Sequence, residues 1–272
     1  MLAAAETSRE PLIRLENVSK VFSPGSKNEV RAVDDVSISM QSGEIISLLG
    51  ESGSGKTTTA RLVLKLSEPT SGQIYFHGED ITKWRTQKES IRYWGQVQAI
   101  FQDPFASFNS FYSVENLLNN AFRLVKETFT RKEKVDKMLW ALESVGLNAA
   151  ELLTKRPHEL SGGQRQRIMI ARVLIIQPEV LIADEPTSMI DASSRAGILN
   201  ILLKLRKEMG MSIVFITHDL GMAYYTSDRL YIMNQGKIVE RGTPEDVVHH
   251  AKNEYTKKLL EDVPTLEKKW AI

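Results

Sequence analysis

The chain has 272 residues, a formal net charge of +1 and no cysteine. A nearly neutral chain without a basic cluster shows no sign of a nucleic-acid surface, and the lack of cysteine rules out disulfides, thiolate metal sites and cysteine-ligated iron–sulfur clusters. The first ten residues lack the pattern of a signal peptide, and the longest apolar runs, such as Val173–Ile176, are too short to cross a bilayer. We therefore expect a soluble cytoplasmic protein.

The N-terminal part of the chain predicts a small antiparallel sheet. Residues 12–49 alternate short apolar stretches with turns, a period-2 pattern typical of half-buried strands. The run Ile45–Leu49 predicts a buried strand, and Thr59–Leu66 predicts a helix. Phe22, just before a turn, is either a core aromatic or a flat platform for a nucleotide base.

A glycine-rich turn with the pattern G-x-x-x-x-G-K-[ST] joins that strand to that helix. Its glycines let backbone N–H groups curl around an anion, and the helix N-terminus adds partial positive charge. Lys56 is expected to reach the β- and γ-phosphates of a nucleotide, and Thr57 to ligate Mg²⁺. A chance lysine in a glycine turn is the alternative, which the flanking strand and helix disfavour. The candidate binding residues of the turn are Gly50, Glu51, Ser52, Gly53, Ser54, Gly55, Lys56, Thr57 and Thr58.

The rest of the chain predicts an α/β domain interrupted by helices. From about 105 to 160 the pattern is helical, with the apolar residues of Arg131–Leu147 on one face. Strands predicted at Val180–Asp184, Ser212–Ile216 and Arg229–Met233 alternate with helices, which indicates a largely parallel sheet. The tail, Glu254–Ile272, is charged and helical in character.

Two further segments carry chemistry. Asp184 and Glu185 end an apolar strand, where the first acid can hold Mg²⁺ and the second can polarise an attacking water. The alternative is a pair of helix-capping acids. Leu160–Gln164 places two glycines ahead of a helix, which makes either a second anion site or a plain serine-capped helix start. Two phosphate-binding helix ends with one phosphate loop suggest that the second binds nucleotide on another subunit.

In this order, the motifs resemble those of the ATP-binding subunit of an ABC transporter, over roughly Leu12 to Gly242. The matching segments are Walker A at Gly50–Thr57, the Q-loop Gln102, the signature Leu160–Gln164, Walker B at Val180–Asp184, the catalytic Glu185, the D-loop Asp191, the switch His218 and the adenine-stacking Phe22. The D-loop departs from the usual Ser-Ala-Leu-Asp, because Ser188–Asp191 reads Ser-Met-Ile-Asp. We expect altered packing there, not lost activity.

The resemblance implies an α/β fold: a P-loop NTPase core of mostly parallel sheet, with an N-terminal antiparallel β subdomain and an inserted α-helical subdomain at about 103–165. One domain would span 1–260, with a C-terminal tail at 261–272. Two such domains would pack head to tail, so that each ATP lies between one phosphate loop and the partner's signature. The signature residues expected to contact the partner's ATP are Ser161, Gly162, Gly163 and Gln164.

The resemblance also implies the roles at the reacting phosphate. Glu185 would activate water, while His218 would contact the γ-phosphate and hold the water and the glutamate. Gln102 would join Thr57 and Asp184 around Mg²⁺ and couple that site to the membrane subunits. ATP and Mg²⁺ are thus the expected cofactors, and ATP hydrolysis coupled to transmembrane transport is the expected reaction.

Finer resemblance points to the oligopeptide/dipeptide importer branch, through Ile100–Asn109, Leu66–Gly72 and Asn253–Pro264. The second segment resembles the second ATPase subunit of that branch. The tail departs from the usual His-Pro-Tyr-Thr run, since Asn253–Thr256 reads Asn-Glu-Tyr-Thr. Some members of the branch import β-linked oligosaccharides, and Ser188–Ser193 resembles those. Iron–sulfur binding through tail cysteines, known in the branch, is not expected here.

Three functions follow as alternatives. The first is an ATPase that powers uptake of peptides or β-linked oligosaccharides, at the cytoplasmic face of the cell membrane. Its partners would be a second ATPase subunit in a hetero- or homodimer, two transmembrane permease subunits and an extracytoplasmic binding protein. The second is a soluble ABC ATPase of translation or DNA repair, which usually has two ATPase halves or a long coiled-coil insertion. The third, a module that holds ATP without hydrolysis, is disfavoured by Glu185 and His218.

Overall fold

The computed structural model describes residues 10–103, 111–188, 190 and 192–261. Two sheets organise this part of the chain, one antiparallel and one mostly parallel. This arrangement confirms the predicted fold class. The predicted domain boundaries, and the extent of the helical insertion, stay predictions.

The first sheet has the strand order β2-β1-β4-β5 and is antiparallel throughout. It is built from β1 (Ile13–Phe22), β2 (Val30–Met40), β4 (Ser71–Phe76) and β5 (Glu79–Asp80). The alternating burial along β1 and β2 is the period-2 pattern read from the sequence. This sheet packs through its apolar face against the second sheet and the first helix.

The second sheet has the order β10-β9-β3-β8-β7-β6 and is parallel except for β10 at one edge. Its strands are β3 (Ile45–Leu49), β6 (Val97–Ile100), β7 (Val180–Asp184), β8 (Ser212–Thr217), β9 (Arg229–Asn234) and β10 (Lys237–Gly242). Every residue of β3 and β7 is buried. Continuous apolar runs of this kind are expected of parallel strands covered on both faces.

The two faces of that sheet belong to different apolar clusters. Leu181 and Ala183 of β7 pack with the helices, whereas Val180 and Ile182 pack toward the antiparallel sheet. The alternation follows from the period of two along a strand. The carboxyl ends of the parallel strands therefore meet at one edge, where loops that carry functional residues can converge.

The helices of the described residues are, in chain order, α1 (Lys56–Val63), α2 (Gln87–Trp94), α3 (Val114–Ala121), α4 (Arg131–Ser144) and α5 (Ala149–Leu152). They are followed by α6 (Gly162–Ile176), α7 (Ala192–Met209), α8 (Leu220–Thr226), α9 (Pro244–His249) and α10 (Glu254–Glu261). Helices α3 and α4 pack against α6 around a buried apolar cluster. Short 3₁₀ segments lie at Ile81–Lys83 and Pro157–Glu159. Among the described residues, no helix has the length and apolar character needed to span a membrane.

Candidate functional site: a nucleotide site at the phosphate loop

The turn after β3 has a backbone that only glycine can adopt at two points. Gly50 and Gly55 have φ values of 153° and 109°. A Cβ atom on Gly50 would lie 2.1 Å from the carbonyl oxygen of Met233, and one on Gly55 would lie 2.3 Å from that of Ala32. Because those neighbours are backbone atoms of packed strands, they cannot give way. The glycines of the pattern are therefore required by the fold of the loop itself.

The Lys56 ammonium is folded back onto this loop. Its Nζ donates hydrogen bonds to the carbonyl oxygens of Gly50, at 2.7 Å, and Glu51, at 2.8 Å, and makes a longer contact of 3.4 Å with the Ser54 hydroxyl. Burial lowers the pKa of Lys56, and nearby carboxylates such as Glu185 partly offset that effect. An ammonium has three donors, so the long contact to Ser54 is the one that a phosphate oxygen can most easily replace.

Helix α1 starts at Lys56 without a side-chain cap. Its N-cap residue is Gly55, which has no side chain that could accept a hydrogen bond from the first N–H groups of the helix. The first N–H groups of a helix have no intrahelical partner. Among the predicted loop residues, Ser54 is buried, while Glu51, Ser52 and Thr57 are exposed. The loop and the start of the helix thus have the features expected of an anion site.

Asp184 ends β7 next to the start of α1. Its carboxylate is almost fully buried and accepts a hydrogen bond from the Thr57 side chain. Burial raises the pKa of Asp184, although the Thr57 hydrogen bond and the Lys56 charge both act to lower it. Desolvation, together with the negative charge of Glu185, therefore outweighs the favourable contacts in setting the pKa of Asp184.

The donor set around Asp184 fits Mg²⁺. Mg²⁺ in nucleotide sites is held by one or two protein oxygens together with phosphate oxygens and waters. A cleft of about 560 Å³ opens over this point and is lined by Thr57, Gln102, Asp184, Arg61 and Arg172, among others. In the described part of the chain no cluster of three or more His, Cys, Asp or Glu side chains is arranged for a metal. The Thr57 hydroxyl and the Asp184 carboxylate in the wall of the cleft suit a cation that arrives with a phosphate group.

Glu185 lies between two polar side chains. Its Oε2 accepts a hydrogen bond of 2.9 Å from Nε2 of Gln102, and its Oε1 is 3.3 Å from Nδ1 of His218. The Glu185 backbone is in the left-handed region, with φ of 46°, and its N–H donates to the carbonyl oxygen of Ile216 at 2.9 Å. A left-handed non-glycine residue is strained and persists where the surroundings hold it. The structure thus brings Gln102, Glu185 and His218 together beside Lys56.

Phe22 lies at the end of β1 and is 44% exposed. It pairs with Val30 of β2, the strand whose Ala32 carbonyl approaches Gly55 of the phosphate loop. The Lys20 ammonium is 5.2 Å from the centre of the Phe22 ring. The Phe22 side chain is exposed, and it lies on the strand pair beside the phosphate loop. Both observations favour the interpretation of Phe22 as a platform for a nucleotide base over its interpretation as a core aromatic residue.

The signature residues line a different cleft. Ser161, Gly162, Gly163 and Gln164 surround a space of about 280 Å³, together with Leu147, Arg167, Ile190 and Ser194. None of the phosphate-loop residues lines it. Ser161 and Gln164 cap α6 reciprocally: the Gln164 N–H donates to the Ser161 hydroxyl at 3.2 Å, and the Ser161 N–H donates to Gln164 Oε1 at 2.9 Å. Within one chain the signature therefore does not meet the phosphate loop. Asp191 of the D-loop lies outside the described residues.

Comparison with known proteins decides the family. The family model for the ABC transporter matches residues 33–188. The oligopeptide transport ATP-binding protein OppF of Streptococcus mutans is 45% identical over 260 residues, covering 94% of this chain and 83% of that protein. The dipeptide transport ATP-binding protein DppF of Lactococcus lactis is 40% identical over 261 residues, covering 95% and 83%. The chain belongs to the ABC transporter family.

A solved structure agrees with this assignment. A dimeric post-hydrolysis state of the ATP-binding cassette MJ0796, bound to ADP and Pi, matches this ABC ATPase with a TM-score of 0.78 at 25% identity. The match covers 85% of this chain and 98% of the other. The expected family, fold class and ATP-hydrolysing activity are therefore confirmed.

Some residues of the site were not anticipated. Arg61 and Arg172 place two guanidinium groups in the wall of the cleft. The spacing of four residues between Thr57 and Arg61 puts both on one face of α1 and could have indicated Arg61. Tyr255 of α10 accepts a hydrogen bond from the N–H of Glu51 at 2.9 Å. No local sequence pattern connects Glu51 with Tyr255.

Proposed function

We propose that this ABC ATPase hydrolyses ATP at a composite site, formed by its own phosphate loop and the signature of a second ATPase, to power uptake of oligopeptides or dipeptides. The observation that carries the proposal is the placement of the Glu185 carboxylate between Gln102 and His218, beside the buried pair Lys56 and Asp184. A positioned carboxylate next to a phosphate loop is what water activation requires.

In the proposed reaction, Glu185 accepts a proton from the attacking water. The water oxygen bonds to the γ-phosphorus as the bond to the β–γ bridging oxygen breaks, which yields ADP and phosphate. His218 holds the carboxylate and contacts the γ-phosphate, and Lys56 stabilises charge on the β- and γ-phosphate oxygens. Glu185 makes both of these side-chain contacts from a left-handed backbone, with φ of 46°.

Mg²⁺ would be held by Thr57 and Asp184 with the help of Gln102, and when bound it supplies charge stabilisation to the phosphate oxygens. In the present structure Gln102 is hydrogen-bonded to Glu185. We propose that the amide moves between these two positions when nucleotide binds. Such a movement would connect the state of the nucleotide to the chain segment that follows Gln102.

The second half of the site would come from a partner ATPase, either a related chain or a second copy. The separation of the phosphate loop and signature into two clefts supports this arrangement. The dimeric state of the MJ0796 cassette supports it as well. Rotation of the Ser161 hydroxyl away from its cap on Gln164 would free it for the partner's ATP, and closure of the dimer would then alternate with hydrolysis and reopening.

The membrane partners would be two permease subunits, which place this subunit at the cytoplasmic face of the membrane, and an extracytoplasmic binding protein would deliver the substrate. Two exposed aromatic side chains, Phe111 and Tyr112, follow the Gln102 segment and suit an apolar contact with a permease. Peptides are the proposed cargo because the relatives reported above are named for oligopeptide and dipeptide transport. None of them is named for transport of β-linked oligosaccharides.

The test is capture of the full-length tagged chain from native membranes, followed by identification of its partners. A second ATPase, two permease subunits and a binding protein would support the importer, and ligand screening of that binding protein would distinguish peptides from β-linked oligosaccharides. Recovery of ribosomes or DNA-repair factors without membrane proteins would contradict it and favour a soluble ABC ATPase. An Asp184→Asn chain serves as a matched control for the capture. The substitution alters the buried nucleotide site but leaves the exposed surface unchanged, so this chain should recover the same partners.

A further inference from the structure

We propose that Tyr255 is a positioning residue for the phosphate loop, through which the C-terminal helix α10 sets the affinity for nucleotide. The inference rests on the proposed nucleotide site. It starts from one contact: the Glu51 N–H donates to the Tyr255 hydroxyl oxygen at 2.9 Å. Glu51 directly follows Gly50, the first residue of the loop.

The contact acts on the peptide group that holds Lys56. The Glu51 N–H and the Gly50 carbonyl belong to one planar peptide unit, in which they point in opposite directions. Tyr255 binds one end of that unit, and the Lys56 ammonium binds the other end at 2.7 Å. Rotation of the plane would break both hydrogen bonds together. Tyr255 therefore fixes the orientation of the carbonyl from which Lys56 reaches toward phosphate.

The tail helix is anchored well enough to serve this purpose. The Glu240 carboxylate of β10 accepts hydrogen bonds from the N–H groups of Lys252, at 2.7 Å, and Asn253, at 3.3 Å. The Asn253 side chain in turn accepts from the Tyr255 N–H at 2.9 Å. These bonds place the start of α10 at a fixed position relative to the sheet.

Apolar packing connects the same helix to the loop. Tyr255, Leu259 and Leu260 pack against a buried cluster that includes Leu49, the last residue of β3 before Gly50. Burial raises the pKa of the Tyr255 phenol. Its oxygen is thus a neutral hydroxyl that accepts from Glu51 across the physiological pH range. Helix α10 is therefore connected to the phosphate loop in two ways. Its apolar side chains pack against the cluster that contains Leu49, and its Tyr255 hydroxyl accepts the hydrogen bond from Glu51.

The first test is the Tyr255→Phe variant, which keeps the ring and removes only the hydroxyl. We expect the affinity of the full chain for MgATP, measured by equilibrium binding, to fall roughly three- to tenfold, the scale of one lost hydrogen bond. In the assembled transporter, KM for ATP should rise while kcat stays within about twofold, because the groups around Glu185 are untouched. The matched control is Tyr225→Phe, at an exposed tyrosine of α8, which should leave both values unchanged.

A second measurement separates positioning from loss of stability. In a Lys56→Met background, Tyr255→Phe should weaken nucleotide binding much less, because its effect passes through the carbonyl that holds Lys56. The same fold loss in both backgrounds, or no loss in the Tyr255→Phe chain, would overturn the inference. Failure of the unaltered chain to bind MgATP would instead contradict the proposed nucleotide site, so the two failures are distinguishable.

Discussion

The side-chain amide of Gln102 donates a hydrogen bond of 2.9 Å to Oε2 of Glu185. The contact joins the end of β6 to the end of β7. It therefore links the segment that is proposed to meet the permease with Glu185, the residue that is proposed to activate water. Because one amide serves Glu185 here and would serve Mg²⁺ in the nucleotide-bound state, its position reports the state of the site. A second contact of Glu185, with His218 at 3.3 Å, comes from the loop after β8.

Replacement of Gln102 by Glu should slow hydrolysis more than replacement by Ala. The Ala variant only removes a donor, whereas the Glu variant places a second negative charge against Glu185 and against the negative phosphate oxygens. We expect kcat to fall roughly tenfold for Ala and further for Glu, with ATP affinity little changed. Steady-state ATPase assays of the assembled transporter over a range of pH would check this order. An Ala variant that is slower than the Glu variant would contradict it.

Removal of the Phe22 ring should weaken binding of the base. Stacking of a base on an aromatic side chain contributes roughly 1–3 kcal/mol, so Phe22→Ala should bind MgATP roughly 5- to 150-fold more weakly, and Phe22→Trp should retain affinity. Equilibrium binding with tripolyphosphate gives the control, since that ligand has no base and should bind the Ala variant and the unaltered chain equally. Equal loss for both ligands would show that Phe22 acts on the fold and not on adenine.

Asp184→Asn should stabilise the nucleotide-free chain while it removes Mg²⁺-dependent hydrolysis. Burial raises the pKa of Asp184 above its unfolded value. Its ionised form therefore costs stability at neutral pH, and that cost disappears as the pH falls below the unfolded pKa of an aspartate. Thermal unfolding should give the Asn variant a higher Tm at neutral pH and a smaller advantage in acid. A lower Tm at neutral pH would mean that the Thr57 and Lys56 contacts outweigh desolvation.

The extent to which the sequence predicted the structure differs from element to element. The observed bounds of β7, Val180–Asp184, match the predicted strand, because a short, continuous apolar run is a strong local signal. Helix α1 starts at Lys56, three residues before the predicted Thr59. Its N-cap position holds Gly55 and not the Ser, Thr or Asp that typically marks a helix N-terminus in a sequence.

At the site, residue types were predictable and their contacts were not. The motifs indicated Glu185 and His218, but the left-handed backbone of Glu185 is a tertiary effect without a sequence signal. The contact between Glu51 and Tyr255 joins positions 204 residues apart. Periodicity and spacing report neighbours along the chain, so contacts of this kind come only from the fold.

The most direct test of the account is retention of ATP by the Glu185→Gln chain in its complete transporter. The variant keeps the size of the side chain but replaces one carboxylate oxygen with an amide nitrogen, so that it cannot accept the proton of the attacking water. Loss of general-base catalysis is expected to cut turnover roughly 10²–10⁴-fold, so MgATP should remain bound and unhydrolysed in a closed ATPase pair. Single-turnover assays with radiolabelled ATP, followed by isolation of the complex, measure both quantities. Turnover at the unaltered rate would contradict the role of Glu185.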